Sequence, residues 1–312
     1  MDDMDTGDRR IWSPYDKSFT KVTLIQGSGL ASPNEGATCI VEISRLTGGC
    51  HVTDDVVGYP LGKETKTCIG EYDADLSEIV DGCLETMKEG EVCELHIPES
   101  TLMERIGVDY LCKMRTTVCV EDVDKLNIIL KIELKQFTKV IEKWKMSQEK
   151  KIETAEYQKG KGNVCFQQGK TVLAARRYSK ALKSLITVVD MKHLNDLPVN
   201  MKQHYTALKC SCSLNLAACL LKLKQFSNVV KLCSDALEIV GENVKGLYRR
   251  GHAFRKLGEF ERAREDLTFA QRLEPHNKAV QDQIAILDRD VKELDDKYAK
   301  AMSKMFGGPV KS

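Results

Sequence analysis

The stretch GLYRRGHAFRKLGEFERAREDLTFAQRLEP, residues 246–275, contains two runs of helical spacing broken at Gly258. Small residues (Gly251, Ala253, Ala263, Ala270) alternate with large apolar ones (Phe254, Phe260, Leu267), and Pro275 closes the stretch. Small side chains on the facing sides of a helical hairpin let two antiparallel helices approach closely, and the large ones fill the gap to the next hairpin. A lone hairpin has nothing to bury that face against, so the pattern asks for further copies in the chain.

Two more copies are present. The unit spans 244–277, and stepping back 34 residues to 210–243 puts Ala217 in the slot of Gly251, Leu220 for Phe254, Phe226 for Phe260, Val229 for Ala263 and Ala236 for Ala270. Residues 155–188 form another copy, with Gly162, Gly169, Ala174, Tyr178 and Ala181 in register, set apart by an insertion that contains HLNDLPVN. Period and composition are those of tetratricopeptide repeats (TPR), and three copies suffice for a stable stack. The following run from Asn277 to Phe306 reads as one long helix whose polar outer face caps the array.

Upstream the texture is different. Segments KVTLIQGSGL, ATCIVEIS, EVCELHI and KLNIILKIELKQF read as strands separated by Gly, Pro and Asn/Asp turn signals. In the last of them Leu126, Ile128, Leu130, Ile132 and Leu134 alternate, which places five apolar side chains on one face. One short helix is expected around 74–90, where Leu76, Ile79, Val80, Leu84 and Met87 recur at helical spacing and Gly90 stops the run. The fold expected is an α+β front domain at 20–140, preceded by a flexible segment at 1–19. Three TPR repeats follow within 141–277, and the capping helix and tail occupy 278–312.

The net charge of +1 hides an asymmetry: residues 1–146 carry 17 basic and 27 acidic side chains, and the remainder carries 30 and 19. A basic back half suits an anionic partner, which leaves nucleic acid, a membrane surface, an acidic peptide and plain solvated helix faces open. The opening MDDMDTGDRR lacks an apolar leader, and no apolar run approaches membrane-spanning length. The 12 cysteines include no C-x-x-C pair. These features predict reduced thiols and a cytosolic or nuclear setting without a membrane anchor. QGSGL at 26–30 lacks the Lys-Ser/Thr of a phosphate loop, and Cys210, Cys212 and His204 fall in a predicted helix. No cofactor and no metal are expected.

In stacked hairpins of this kind the first helix of each pair lines a groove, where long polar residues serve no packing need. Lys159 and Asn163 stand one turn apart in the first repeat, Lys245 and Arg249 one turn apart in the third, and Asn215 in the second occupies the slot of Arg249. Three cations and two amides facing one groove make a receptor for carboxylates: Arg grips with two parallel bonds, Lys supplies a point charge and Asn orients without charge. Arg250 falls at a slot that is usually apolar and reads as a surface side chain.

These five positions resemble the carboxylate clamp of TPR co-chaperones that hold the C-terminal Glu-Glu-Val-Asp of heat-shock protein 90. The junction around Trp144-Lys145-Met146 and the strands upstream of it resemble FKBP-type immunophilins with TPR repeats, nearest to their FKBP-like members with a degenerate isomerase domain. The resemblance implies a degenerate FKBP-type half-barrel in front, and an adaptor that docks on the heat-shock protein 90 tail and on client proteins such as steroid receptors. The similar tail of heat-shock protein 70 is a second candidate, and the clamp slots account for the basic residues without nucleic acid. The end of the closing helix, KYAKAMSKMF, also admits a calmodulin-type partner, with capping preferred.

Prolyl isomerisation in this family uses an aromatic pocket that strips water from the amide. Between Gln26 and Gln136 the aromatic residues are Tyr59, Tyr72 and Tyr110, and Val80 stands where active members carry the Trp of the pocket floor. LTGGCHVTDDVVG replaces the Phe-Asp segment, and STLMERIGVDYLCKMRTT lacks the Tyr-Ala-Tyr-Gly and Ile-Pro-Pro segments. The front domain is therefore expected to have no catalytic residues; an active peptidyl-prolyl isomerase is the alternative.

Overall fold

The computed structural model describes residues 10–46, 52–107, 127–188 and 198–306. The chain divides into two compact units, Met1–Glu142 and Lys143–Ser312.

The first unit is an antiparallel sheet built from β1 (Ile11–Trp12), β2 (Thr20–Ile25), β3 (Thr38–Arg45), β4 (Glu64–Cys68), β5 (Glu91–Ile97) and β6 (Ile128–Thr138), in the order β1-β2-β5-β6-β3-β4. The period-two pattern of β6 does what alternation requires: Ile128, Leu130, Ile132 and Leu134 are all buried. Leu126 lies outside the described residues, as do Tyr110, most of STLMERIGVDYLCKMRTT and part of LTGGCHVTDDVVG. Cys39, Val41 and Ile43 of β3 join the same core. The short helices are α1 (Asp54–Val57), α2 (Ser77–Leu84) and α3 (Glu99–Arg105), and α2 buries Ile79, Val80, Cys83 and Leu84 in that core.

Four elements lie beyond the sequence reading. β4 reads ETKTC, with only Thr67 buried, so it carries no apolar alternation to announce it. Strand β1 pairs Ile11 with Val22 and Trp12 with Lys21, inside the segment expected to be flexible. Both α1 and α3 are too short for a helical period to emerge.

An ion pair sits inside this unit. Lys21 Nζ lies 2.9 Å from Glu91 Oε1, and each side chain is 7% exposed. Lys21 also donates to the Thr86 carbonyl at 3.1 Å, and Glu91 Oε2 accepts from the Lys88 amide at 2.9 Å. Both charges are thus hydrogen-bonded on more than one side, the condition under which a desolvated pair is tolerated.

The second unit opens with a single turn, Lys143–Lys145, and continues as α4 (Gln148–Gln167), α5 (Thr171–Ile186), α6 (Val199–Lys222), α7 (Phe226–Val240), α8 (Val244–Leu257), α9 (Phe260–Leu273) and α10 (Lys278–Phe306). Ser147 and Asn243 cap α4 and α8, accepting from the amides of Lys150 at 3.3 Å and Gly246 at 2.9 Å. The small residues act as spacing predicts. A Cβ on Gly162 would stand 2.7 Å from Tyr178 Cε1, and one on Gly251 would stand 2.9 Å from Leu267 Cγ. Ala174, Ala181, Ala217, Ala253, Ala263 and Ala270 are all fully buried. Helix α6 begins at Val199, well ahead of the repeat boundary at 210, so the end of the insertion is helical.

Arg250 corrects the surface reading. Its Nε and Nη2 make two parallel bonds to Asp266, at 2.8 and 2.7 Å, and Nη1 reaches Ser234 Oγ at 3.1 Å. It ties α8 to α9 and α7, since a guanidinium can enter an apolar slot when a carboxylate enters with it. Among the described residues no helix is long and apolar enough to cross a membrane.

Removing one partner of the Lys21–Glu91 pair strands the other charge. Lys21→Met should lower the stability of the first unit by about 3–5 kcal/mol, and Lys21→Met with Glu91→Leu should recover most of it. Urea titration followed at Trp12, in a Trp144→Phe background that leaves one of the chain's 2 tryptophans, checks this.

Candidate functional site

The site is built by α4, α6 and α8, the first helices of the three hairpins. Lys159 and Asn163 project from α4, Asn215 from α6, and Lys245 and Arg249 from α8. Asn215 Nδ2 donates to Asn163 Oδ1 at 3.3 Å across two hairpins. The same oxygen accepts from the Tyr178 hydroxyl at 2.8 Å. With both bonds falling on Oδ1, the Asn163 amide has one orientation, and its Nδ2 is left to donate outward.

Arg249 Nη1 donates to the Leu214 carbonyl at 2.8 Å, beside Asn215 on the same helix. Burial pulls the Arg249 guanidinium down from its ordinary value, and the nearby Cys233, Cys219, Tyr248 and Tyr178 oppose that effect. Burial pushes the Cys212 thiol of α6 up to about 11, and the charge of Lys159 opposes that shift. The hydrogen bonds bring Asn163 and Asn215 together and hold Arg249 on the backbone beside Asn215. Lys245 is exposed one turn before Arg249, and among the described residues no hydrogen bond or ion pair links it to the other four.

The arginines of α8 differ in one respect that bears on chemistry. Arg250 has Asp266, and Arg255 has Asp290. Among the described residues no carboxylate pairs with Arg249, although it is partly buried. A desolvated guanidinium without a counter-charge is costly, and an incoming carboxylate relieves that cost.

Two residues belong to this neighbourhood that the sequence reading did not place there. Tyr178 was a packing position in the repeat, yet its hydroxyl orients Asn163; nothing in the spacing distinguishes the two roles. Lys222 lies two turns after Asn215 on α6, with Nζ 4.2 Å from the Phe166 ring centroid. Burial pushes the Cys219 thiol up to about 11, and the charges opposing that shift are Lys222 and Arg249. The i, i+7 spacing from Asn215 could have revealed Lys222.

A cavity of about 380 Å³ opens elsewhere, where Leu237, Leu247 and Phe269 meet Arg250 and Asp266; none of the five residues lines it. Every described cysteine is free, and among the described residues no cluster of His, Cys, Asp and Glu could hold a metal ion.

In the first unit Val80 is fully buried. The Tyr59 ring packs against Tyr72 with centroids 4.7 Å apart, and its hydroxyl donates to Asp81 Oδ1. Burial, then the charge of Asp81, raises the Tyr59 hydroxyl far above the usual phenol range.

With this geometry in hand, comparison with known proteins is informative. The chain is 31% identical over 282 residues to human peptidyl-prolyl cis-trans isomerase FKBP4, covering 90% of this chain and 56% of that protein. It is 28% identical over 305 residues to human FK506-binding protein-like, covering 95% and 73%. A multi-domain immunophilin from Arabidopsis thaliana superposes with a TM-score of 0.38 at 24% identity, over 85% of this chain and 97% of the other. No protein-family model matches. An antiparallel sheet unit followed by stacked TPR hairpins is the plan of an FKBP-type TPR protein. The chain is a relative of the FKBP-type immunophilins that carry these repeats. It spans little more than half the length of FKBP4.

His252, on α8 near Arg249, titrates in the repeat unit. Burial first, then Arg255 and Lys256, lowers it to about 4. The folded chain therefore holds the neutral ring. Its contribution to stability is full above the unfolded value near 6.5 and is lost as pH falls from there toward about 4. His252→Gln should flatten this part of the profile, read as the difference in urea midpoint between variant and parent from about pH 7.5 to 4.5.

Proposed function

We propose that the repeat unit binds the acidic C-terminal tail of heat-shock protein 90 through Lys159, Asn163, Asn215, Lys245 and Arg249, and that the protein is a non-catalytic co-chaperone adaptor. The observation that carries this reading is Arg249: partly buried, anchored by one bond to the Leu214 carbonyl, and without a carboxylate of its own among the described residues. An acidic C-terminus brings two carboxylates on one residue, one on the side chain and one at the chain end. Asn163 Nδ2 and Lys159 suit the chain-end carboxylate, and Lys245 and Arg249 suit side-chain carboxylates. Charge-assisted bonds contribute about 1.5–3 kcal/mol each, and a micromolar complex needs only about 8 kcal/mol net. The tail of heat-shock protein 70 carries the same chemistry and competes for the same groups. Client proteins, steroid receptors among them by family resemblance, would engage the front unit by surface contacts in the cytosol or nucleus.

The front unit is proposed to be inactive. Tyr59, Tyr72 and Val80 are packed into or against its core, and the Tyr59 hydroxyl is bound to Asp81. FKBP4 is named an isomerase, which keeps active peptidyl-prolyl isomerisation as the second reading.

Lys245→Ala and Arg249→Ala should each weaken an EEVD-ending peptide by about 2–5 kcal/mol in calorimetry, and amidating the peptide C-terminus should weaken it comparably. Unchanged affinity would remove the clamp. In a proline-peptide assay the full chain should give no rate above the uncatalysed one; acceleration lost with a Tyr59→Ala, Asp81→Ala variant would instead establish the isomerase.

A further inference from the structure

The heptad stripe of α10 outruns its packing partners. Val280 and Leu287 are buried and Ile284 and Val291 pack against the last hairpin, but Tyr298, Met302 and Met305 are 63%, 56% and 77% exposed. Ile284, Leu287, Val291, Leu294, Tyr298, Ala301 and Met305 alternate at three- and four-residue steps, the seven-residue period by which one helix packs along another. The inner half of this stripe meets the repeats, and the outer half continues the same pattern into solvent.

Charge along the outer half indicates what covers it. Asp288 and Asp290 are tied to Arg264 and Arg255. Beyond them come Glu293, Asp295 and Asp296 with Lys292 as the one cation, then Lys297 and Lys300 with no acid before Met305. A second copy laid parallel would set acids against acids. Laid antiparallel, it sets the acidic turn of each copy on the basic turn of the other, with Tyr298 near the two-fold axis and Val291 facing Met305. We propose that the outer half of α10 is a self-association face that pairs antiparallel with the same segment of a second copy of this chain. The three acids just ahead of the lysines weigh against an acidic partner that wraps basic helices. Fifteen residues from Val291 to Met305 span about 22 Å, which gives a contact at the small end of specific interfaces and a weak, reversible dimer.

The test uses the full chain in sedimentation equilibrium from about 5 to 200 µM, the range in which so small an interface should be half-populated. Monomer–dimer association is expected, weakening severalfold as NaCl rises from about 50 to 500 mM. Tyr298→Glu with Met302→Glu should leave a monomer with unchanged helical circular dichroism. The charge variants Glu293→Lys/Asp295→Lys/Asp296→Lys and Lys297→Glu/Lys300→Glu should each be monomeric alone and dimerise when mixed. A wild-type chain monomeric throughout, with or without binding to calcium-loaded calmodulin, overturns the proposal. A dimer indifferent to Tyr298→Glu, or one that tightens with salt, does so too. The peptide clamp plays no part in these readouts.

Discussion

The close approach of two helices within each hairpin is the constraint on which the rest of the second unit depends. Gly162 lies against Tyr178 and Gly251 against Leu267 at separations that leave no room for a Cβ. A side chain at either place would push the first helix of the hairpin outward. Asn163 and Asn215 stand on those first helices, so their offset fixes whether the two, 52 residues apart in sequence, can touch. Tyr178 serves both ends of this chain of cause: its ring fills the space above Gly162, and its hydroxyl orients Asn163. Packing and recognition geometry are therefore set by the same residue, a coupling that rigid scaffolds exploit to hold functional groups in place.

Most of this was legible because repeats state the same physical requirement three times. Small residues at fixed intervals announce close helix contact, so the hairpins and their order could be read directly. Arg250 could not, since its place in an apolar slot depends on Asp266 arriving from the next helix, sixteen positions away. Lys222 falls outside the aligned repeat slots, although its spacing from Asn215 puts it on the same face. The convergence of Asn163 and Asn215 was anticipated only as a shared direction; the shared acceptor oxygen and the role of Tyr178 are three-dimensional facts.

The sheet unit was less legible, for a reason visible in its strands. β6 buries every second residue from Ile128 to Leu134 and declares itself, while β4 is polar on both faces and takes its place through backbone pairing with β3 and the Lys135–Glu64 ion pair. The core that results has few aromatic groups, and it uses them for structure. Tyr59 packs its ring on Tyr72 and commits its hydroxyl proton to Asp81. Val80 closes over with the aliphatic side chains of α2.

Charge placement then explains how a cationic groove persists beside so many acids. An unpaired guanidinium attracts any carboxylate within reach of its own chain, and the surest way to keep it available is to engage those carboxylates elsewhere. The second unit does this locally. Asp266 is bound to Arg250, Asp290 to Arg255, Asp288 to Arg264 and Glu259 to Arg262. Each pair gives an acid of the last hairpin or of α10 a cation other than Arg249. These ties add modestly to stability where they are exposed. Their larger effect is to leave Arg249 anchored to a neutral carbonyl, which a carboxylate ligand can supplement without displacing another charge.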